Sequence, residues 1–422
     1  MRILRGNKGL SASIIFSDGS HWSSTSGVSS SILNLDTSMI FSIGSITKTI
    51  TSAAILKYTE NQKLQLDDPI GEHIDSIKFV NSTITIRQLL RHQSGIFDIL
   101  TNPQFNVFMN NYPDSIWLAR NALTTFLQKP NFAPGTAFQY SNSNYVILGM
   151  ILEKISGKPY ADVIEELFQT QAQFPSFTIR PYRDYGIPIA NVWLDYTGDN
   201  IVDDAEDYIF NWKAFSSIVA PAGCIFSNAY DITNWIKQFC GDKLISEAIM
   251  NEAKTTISAG LPNNTSYGLG LMKRKLAGFD AYGHGGDIGY SAFSWYLPEK
   301  NVSISILNND GSKTSWTLNP VIEELLKTYF NFVASSLTDF SSQEYTLIYP
   351  NPTSDILNIS LPKINTDYKI KIYSSTGKLL FNTDLDQGII THLDVNELHA
   401  GIYFIEFISS GKLSFRKTFI KL

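Results

Sequence analysis

The hydrophobic pattern predicts two buried helices in the first half of the chain. Residues 49–56 form an unbroken run of small and apolar side chains, which is typical of a helix that packs inside a protein. Gly44 and Ser45 come just before this run, so Ser45 is expected in the first turn of the helix. A second apolar run, over residues 145–152, predicts another helix, which a Pro-Gly turn and a short extended segment precede.

Strand-like patterns occur at the start of the chain and again after its middle. Residues 11–16 and 21–23 flank a short polar turn, and together they predict the edge of an antiparallel sheet. A further extended run covers residues 290–297, and the pattern of residues 323–330 predicts a helix that ends the first domain.

The last part of the chain has the pattern of a separate module. Residues 334–342 are mostly polar, as expected of a linker. Short alternating segments separated by turns follow, and they predict a small all-β immunoglobulin-like sandwich; the segments are 356–359, 368–373, 378–381 and 402–407. The predicted organisation is a first domain over 1–333, a linker over 334–345 and a second domain over 346–422.

Composition narrows the class of protein. The chain has 422 residues, 43% of them hydrophobic and 17% charged, which indicates a folded globular protein with a large core. Its net charge of −6 argues against a nucleic-acid partner, because binding to phosphates needs a basic surface. The apolar runs are much shorter than a bilayer crossing, so no transmembrane helix is expected.

Ser45 and Lys48 are the first candidates for chemistry. Residues three apart in a helix share one face, so the amine is expected within reach of the hydroxyl. The amino-terminal end of a helix also favours a developing negative charge. A serine hydroxyl becomes a good nucleophile when a neighbouring base takes its proton. A buried lysine with a lowered pKa can act as that base.

Two later motifs extend this pattern. Tyr140-Ser141-Asn142 leads into the second helix, and His284-Gly285-Gly286 is predicted to open the extended run at 290–297. With Ser-x-x-Lys, Tyr-x-Asn and His-x-Gly in this order, the chain resembles the serine β-lactamase and penicillin-binding-protein superfamily. It is closer to the class C-like branch, which includes D-peptidases, D-aminopeptidases and esterases. Further similar segments extend the resemblance over residues 8–330; they are 64–70, 84–96, 222–232 and 267–270.

The resemblance implies an α/β catalytic domain, in which helices flank an antiparallel sheet and a further region is all-helical. It also implies that Ser45 attacks a carbonyl group and that Lys48 and Tyr140 carry the proton to and from Ser45. The residues implied in substrate binding are Asn142, His284, Gly285, Gly286 and Asp287. In this arrangement the backbone N–H groups of Ser45 and Asp287 stabilise the oxyanion. No metal or other cofactor is implied.

One departure from the family pattern bears on the substrate. Many β-lactamases have Lys-Thr-Gly where this chain has His284-Gly285-Gly286, and a histidine is a weaker, pH-dependent partner for a substrate carboxylate. We therefore expect a secreted hydrolase with an acyl-enzyme intermediate, similar to D-Ala-D-Ala carboxypeptidases, D-aminopeptidases or esterases. Its expected substrate is a small peptide or ester, including peptidoglycan-derived ones. The alternatives are a β-lactamase and a penicillin-binding sensor that acylates without turnover.

A different hydrolase class is excluded by its motif. An α/β-hydrolase esterase requires Gly-x-Ser-x-Gly around its nucleophile, and the sequence has no serine in that frame. Of the other conspicuous residues, His21 is expected on a solvent-facing strand and His92 as a brace within a loop. Cys224 and Cys240 are expected as buried thiols, and a disulfide between them is the alternative.

The C-terminal module has its own resemblance, carried by 349–352, 376–378, 400–403 and 417–421. These segments resemble a type IX secretion C-terminal sorting domain. The resemblance implies the type IX machinery as partner, a Bacteroidetes-type bacterium, and a secreted or outer-membrane surface location. The alternative is a carbohydrate-binding sandwich. Residues 1–8 lack the apolar stretch of a signal peptide, so a leader is expected to be missing from this version of the chain.

Overall fold

The computed structural model describes residues 8–169, 174–178, 186–195, 199, 201–204, 213–241, 244–336, 347–360, 368–384, 390–409 and 412–422. The chain divides into two compact units, 1–323 and 324–422. Predictions for residues 1–7 and for most of the linker fall outside the described residues. The first part of the predicted linker is helical instead, because the helix that begins at Asn319 continues to Ser336.

The first unit is built on an eight-stranded antiparallel sheet. The strands of this unit, in chain order, are β1 (Gly9–Ile15), β2 (His21–Gly27), β3 (Phe41–Ser42), β4 (Trp193–Leu194), β5 (Asp203–Asp204), β6 (Phe226–Ser227), β7 (Ile257–Leu261), β8 (Thr265–Tyr267), β9 (Met272–Leu276), β10 (Phe279–Ile288), β11 (Tyr290–Leu297) and β12 (Val302–Asn308). The order across the sheet is β2-β1-β12-β11-β10-β9-β8-β7, while β3 pairs with β6 and β4 with β5. The predicted sheet edge at the start of the chain is therefore confirmed.

Helices accompany this sheet. They are α1 (Thr47–Glu60), α2 (Ile86–Leu90), α3 (Pro103–Asn111), α4 (Ala119–Phe126), α5 (Asn142–Ser156), α6 (Tyr160–Ile164), α7 (Lys213–Gly223), α8 (Ala229–Cys240), α9 (Glu247–Ala253) and α10 (Asn319–Ser336). The two predicted buried helices correspond to α1 and α5. Helix α3 was not predicted from the apolar pattern; a polar cap and a proline start it, since the Asn102 side chain accepts a hydrogen bond from Gln104 N.

One strand differs from the prediction in a way that matters for the site. His284-Gly285-Gly286 does not open the run at 290–297 but lies inside β10. The turn to β11 comes later, at Gly289, whose φ of 66° is one that glycine adopts without strain. The three residues are therefore paired with β11 over their whole length, opposite Ser294, Phe293 and Ala292.

Helix α1 is held in the core by a tryptophan of α8. The Trp235 side chain is fully buried, and its indole N–H donates a hydrogen bond to Thr49 Oγ1 over 2.8 Å. Its aromatic neighbours, with ring centroids 4.8–5.8 Å away, are Phe168, Phe174, Phe177 and Phe239. Because Thr49 follows Lys48 directly, this contact also fixes the helix turn that carries the candidate amine.

The second unit is all-β where it is described, apart from the end of α10. Its strands are β13 (Leu347–Tyr349), β14 (Ile356–Ser360), β15 (Tyr368–Ser374), β16 (Leu379–Asp384), β17 (Ile390–Asp394), β18 (Gly401–Ser409) and β19 (Lys412–Lys421). They form a three-stranded sheet, β13-β14-β17, and a four-stranded sheet, β16-β15-β18-β19. Buried apolar side chains of both sheets, such as Leu357 and Ile405, share one core. The immunoglobulin-like arrangement stays a prediction.

Both cysteines are buried thiols, as expected. Of the helices in the described ranges, not one combines the length and the apolar character needed to cross a bilayer.

We predict that Trp235→Ala lowers the free energy of unfolding by about 3–5 kcal/mol, because it removes a large buried side chain and a buried hydrogen bond. Trp235→Phe should cost less, since it keeps most of the packing. The measurement is chemical unfolding followed by circular dichroism. Leu118→Ala is the control, since Leu118 is 71% exposed and should change stability by less than about 0.5 kcal/mol. Equal effects of the two alanine variants would contradict the assigned role of Trp235.

Candidate active site

Ser45 lies at the point where the chain enters helix α1. Gly44–Ile46 form a single 3-10 turn, and the helix proper begins at Thr47. Ser45 therefore lies in the middle of this 3-10 turn, just before the helix, while Lys48 is inside the helix. Ser45 is partly exposed, whereas the Lys48 side chain is fully buried. The hydroxyl and the amine are within reach of each other, as expected, although Ser45 precedes the helix instead of lying in its first turn.

The Lys48 amine has three oxygen neighbours, each from a different element. Its Nζ atom lies 3.0 Å from Ser45 Oγ, 2.7 Å from Asn142 Oδ1 and 2.6 Å from the Ala222 carbonyl oxygen. Asn142 is the first residue of α5, and Ala222 lies at the end of α7, where helix carbonyls lack partners within the helix. The three elements converge on a single nitrogen.

Close packing of α5 against α7 brings the Ala222 carbonyl to this position. A Cβ atom added to Gly149 would lie 2.2 Å from Pro221 Cγ, so only glycine permits this approach of the two helices. The neighbouring Pro221 carbonyl accepts a hydrogen bond from Thr51 Oγ1 over 2.6 Å. Helix α1 therefore supplies donors for two consecutive carbonyl groups at the end of α7.

Burial sets the protonation of Lys48. Removal from water disfavours the ammonium form and lowers the pKa of Lys48 to about 7, although the negative charge of Asp98 opposes this shift. A lysine in water has a pKa near 10.4 and is almost entirely protonated at neutral pH. Lys48 instead has a substantial neutral fraction there, so it can accept a proton from Ser45.

Asp98 fixes the orientation of the Asn142 amide. The Asn142 Nδ2 group donates a hydrogen bond to Asp98 Oδ2 over 2.8 Å, while Asn142 Oδ1 faces Lys48. The other carboxylate oxygen, Asp98 Oδ1, accepts a hydrogen bond from the backbone N–H of Leu100 over 3.0 Å. Sequence reasoning did not select Asp98; its only local signal was a position that suits a cap two residues before an N–H group.

Tyr140 places its hydroxyl group in the same site. Burial raises the pKa of Tyr140 well above its usual range, although the Ser45 hydroxyl beside it acts in the opposite direction. In the part of the chain that the structure describes, the buried Tyr140 hydroxyl meets no partner at hydrogen-bonding geometry. Tyr140 is therefore a neutral phenol whose O–H group can donate a hydrogen bond or a proton. The sequence had left open whether it could act as a base.

Strand β10 passes very close to the backbone of Ser45. A Cβ atom added to Gly286 would lie 2.0 Å from the Ile43 carbonyl oxygen and 2.8 Å from Ser45 N. One added to Gly44, whose φ is 50°, would lie 2.7 Å from Asp287 N. The glycines thus bring the backbone nitrogens of Ser45 and Asp287 together. The Asp287 carboxylate is turned to Ser315, accepting hydrogen bonds from its N–H and its hydroxyl.

A chain of buried hydrogen bonds joins the Tyr140 segment to β10 through His92, Tyr267 and His284. His92 Nδ1 accepts from the backbone N–H of Ser141 over 3.1 Å, so the proton of the neutral ring is on Nε2, 3.2 Å from Tyr267 Oη. Tyr267 in turn lies 2.9 Å from His284 Nε2, and His284 Nδ1 lies 2.5 Å from the Gly285 carbonyl oxygen. Each donor therefore has one acceptor, and both histidine tautomers are fixed.

Both histidines are neutral in this network. Burial, assisted by the Lys48 charge, lowers the pKa of His92 well below its usual value and that of His284 to about 3. This corrects the expectation that His284 carries a pH-dependent charge to the substrate. The predicted role of His92 as a brace agrees with its contacts: its ring also lies 4.2 Å from that of Tyr140. His92 has a φ of 56°, which is unusual for a residue with a side chain.

The structure therefore brings the predicted residues together around one nitrogen and one strand. Ser45, Lys48 and Asn142 are in direct contact, and Gly286 and Asp287 lie against Ser45. His284 is one layer behind them, with both ring nitrogens occupied. Among the described His, Cys, Asp and Glu side chains, no group is arranged to hold a metal ion.

Comparison with known proteins agrees with this arrangement. Residues 9–323 match the β-lactamase family, and residues 347–421 match the secretion system C-terminal sorting domain. Protein flp of Staphylococcus aureus (strain MW2) is 25% identical over 316 residues, covering 72% of this chain. The chain spans 60% of the length of that curated relative.

Solved structures share the fold of the first unit. A D-stereospecific amidohydrolase from a Streptomyces species matches with a TM-score of 0.64 at 26% identity, over 72% of this chain and 90% of that one. The D-amino acid amidase of Ochrobactrum anthropi SV3 matches with a TM-score of 0.67 at 20% identity, over 78% and 95% of the two chains. The antiparallel sheet and its helices are those of a β-lactamase-type fold. The chain belongs to the β-lactamase family, and it carries a C-terminal sorting domain that indicates secretion or attachment to the cell surface.

We predict that Tyr267→Phe lowers the free energy of unfolding by about 2–4 kcal/mol. The change leaves His92 Nε2–H and His284 Nε2 buried without their partner, and each such group costs about 1–3 kcal/mol. Tyr112→Phe, at a side chain that is 57% exposed, is the matched control and should have almost no effect. Unfolding midpoints in urea measure both variants. A Tyr267→Phe protein as stable as the control would show that the hydrogen-bond chain contributes nothing.

Proposed function

We propose that the first unit is a serine amidohydrolase that acts through an acyl-enzyme on Ser45, with Lys48 as its general base. The observation that carries the proposal is the geometry of the buried amine. A neutral amine has two N–H groups and one lone pair, and the Asn142 and Ala222 oxygens can only accept. They occupy the two N–H groups, so the lone pair is left for the Ser45 hydroxyl.

In the first step the Ser45 hydroxyl proton passes to Lys48 Nζ while Oγ forms a bond to the substrate carbonyl carbon. The carbonyl π electrons move to the oxygen, which becomes an oxyanion between the N–H groups of Ser45 and Asp287. The tetrahedral intermediate then collapses, and the C–N bond breaks. The leaving nitrogen needs a proton, which the neutral Tyr140 phenol supplies while it regains one from the Lys48 ammonium.

In the second step water replaces the leaving group. Neutral Lys48 accepts a proton from the water as its oxygen attacks the acyl carbon, and Ser45 Oγ leaves with a proton returned through Lys48 or Tyr140. The products are an amine and a carboxylic acid, and the enzyme returns to its starting state. Lys48 and Tyr140 regain their starting protonation states within each half-reaction, and the proton that Ser45 loses in the first is replaced from water in the second, so the steps balance without a cofactor.

We propose an amide of a D-amino acid, or a short peptide with such a residue, as the substrate. Among the described residues at the site, Lys48 is buried with three oxygen neighbours, and His284 is neutral and internally bonded. Neither offers a fixed positive charge for a substrate carboxylate, which β-lactams and D-Ala-D-Ala peptides carry. The names of the similar amidohydrolases, including one at 26% identity, support the same class.

We predict that the protein hydrolyses D-amino-acid amides faster than D-Ala-D-Ala peptides and faster than the cephalosporin nitrocefin. Release of ammonia from the amides, of D-alanine from the peptides and of the ring-opened nitrocefin product measures turnover over the panel, with L-amino-acid amides as the stereochemical control. Ser45→Ala should abolish covalent labelling by a fluorophosphonate probe, and Ser52→Ala, a change at a buried serine on the same helix, should retain it. Labelling that persists in Ser45→Ala would overturn the proposed nucleophile. A single burst without turnover on any substrate would favour a sensor.

We further propose that residues 347–422 direct the protein to the type IX secretion machinery. The match to a secretion system C-terminal sorting domain supports this, as does the separate apolar core of the second unit.

We predict that the full chain, given a signal peptide, reaches the cell surface or the medium of a host that has the type IX system. The same chain ended at Ser336 should stay in the periplasm and keep its amidase activity. Cell fractionation with an activity assay measures both proteins. Retention of the full chain in the periplasm would overturn the sorting role and favour carbohydrate binding, which a glycan array then tests.

A further inference from the structure

We propose that Asp98 is a positioning residue for the reaction: through the Asn142 amide, it determines which way the lone pair of Lys48 points. The inference rests on the proposed lysine-base mechanism and adds to it a residue that neither the motifs nor the family match assigns. Its basis is a linear set of contacts from Asp98 to Asn142, from Asn142 to Lys48 and from Lys48 to Ser45.

The Asn142 side chain has two chemically different ends, and only one orientation suits a base. A primary amide can rotate by half a turn with little change in shape, which exchanges its oxygen and its NH2 group. The Asp98 carboxylate is acceptor-only, so it must face the NH2 group, 2.8 Å away. The oxygen is then directed at Lys48 Nζ.

The opposite orientation would disable the base. With the NH2 group facing Lys48, its N–H would need an acceptor, and the lysine lone pair would be the one at hand. Lys48 would then direct an N–H group, not its lone pair, at Ser45, and the serine proton would have no acceptor there. The Ala222 carbonyl cannot prevent this, since it occupies only one of the two N–H groups.

Asp98 also acts on Lys48 by charge. A carboxylate near the amine stabilises the ammonium form, and Asp98 is the main group that holds the pKa of Lys48 up against the effect of burial. Other titratable groups at the site are Cys224, Tyr140, Tyr145, His92, His284 and Asp287. The histidines are neutral, the Cys224 and phenol pKa values are raised by burial, and the Asp287 carboxylate is turned to Ser315, so Asp98 supplies the opposite charge that acts on the amine.

The test is the pH dependence of fluorophosphonate labelling in the full-length protein, which depends on Ser45 and its base but not on the identity of the natural substrate. Wild type should show an acid limb with an inflexion near pH 7. Asp98→Asn should move this inflexion down by about one pH unit, because it removes the opposite charge. It should also lower the plateau rate by about tenfold, because an asparagine at 98 no longer dictates the orientation of Asn142.

Asp36→Asn is the matched control. Asp36 accepts a hydrogen bond from the N–H group two residues on, as Asp98 does, but has no contact with Lys48 or Asn142 among its described partners. Its pH profile should equal that of wild type. Thermal unfolding of both variants shows whether either change merely destabilises the protein. An Asp98→Asn profile that matches the control in inflexion and plateau overturns the inference.

A double-mutant cycle separates positioning from a general effect. In an Asn142→Ala background there is no amide to orient, so Asp98→Asn should still shift the inflexion but should not lower the plateau further. A second tenfold fall in that background would overturn the positioning role. If wild type itself showed no inflexion near pH 7, or if Ser45→Ala were labelled, the proposed mechanism would fail. Normal wild-type behaviour with an unaltered Asp98→Asn variant would overturn this inference alone.

Discussion

The site depends on a lysine amine that the fold has removed from water. A buried ammonium ion is costly unless it is well paired, and here the cost appears as a pKa of Lys48 near 7. Two uncharged oxygens, from Asn142 and Ala222, keep the amine hydrogen-bonded without restoring the charge. A carboxylate in direct contact would have stabilised the ammonium form strongly. Asp98, the carboxylate whose charge acts on the amine, is separated from it by an intervening amide, and this separation permits a base close to neutrality.

Three pieces of packing make that arrangement possible. Trp235 fixes helix α1 through Thr49, next to the lysine. Gly149 lets α5 and α7 approach until the helix-end carbonyl of Ala222 reaches the amine. Gly286 lets β10 approach the backbone of Ser45. Each contact is between elements far apart in sequence, so the geometry of a few atoms depends on the packing of the whole unit. Substitutions at such glycines would displace the site without touching a reacting group.

The sequence predicted the parts of the site that depend on local spacing. Ser45 and Lys48 were found because three residues along a helix define one face, and Asn142 because Tyr140-Ser141-Asn142 resembles a motif of the family. The sequence did not predict the surroundings of His284, because its partner Tyr267 and the more distant His92 are joined only by the folded sheet and loop. Asp98 was missed for the same reason, because its role depends on a hydrogen bond from Asn142, which is 44 residues away along the chain. The pattern of alternating residues also did not predict that β10 continues to Ile288 and turns at Gly289.

His92 has a backbone conformation that most residues with side chains avoid. Holding a non-glycine residue there costs on the order of 1 kcal/mol or more, and the position would be more relaxed with glycine. Yet glycine would remove the ring that bonds Ser141 and Tyr267 and lies against Tyr140. At position 92, a relaxed backbone therefore favours glycine, whereas the contact that orders the Tyr140 ring requires histidine. Engineering for heat resistance by replacing left-handed residues with glycine should leave this position untouched.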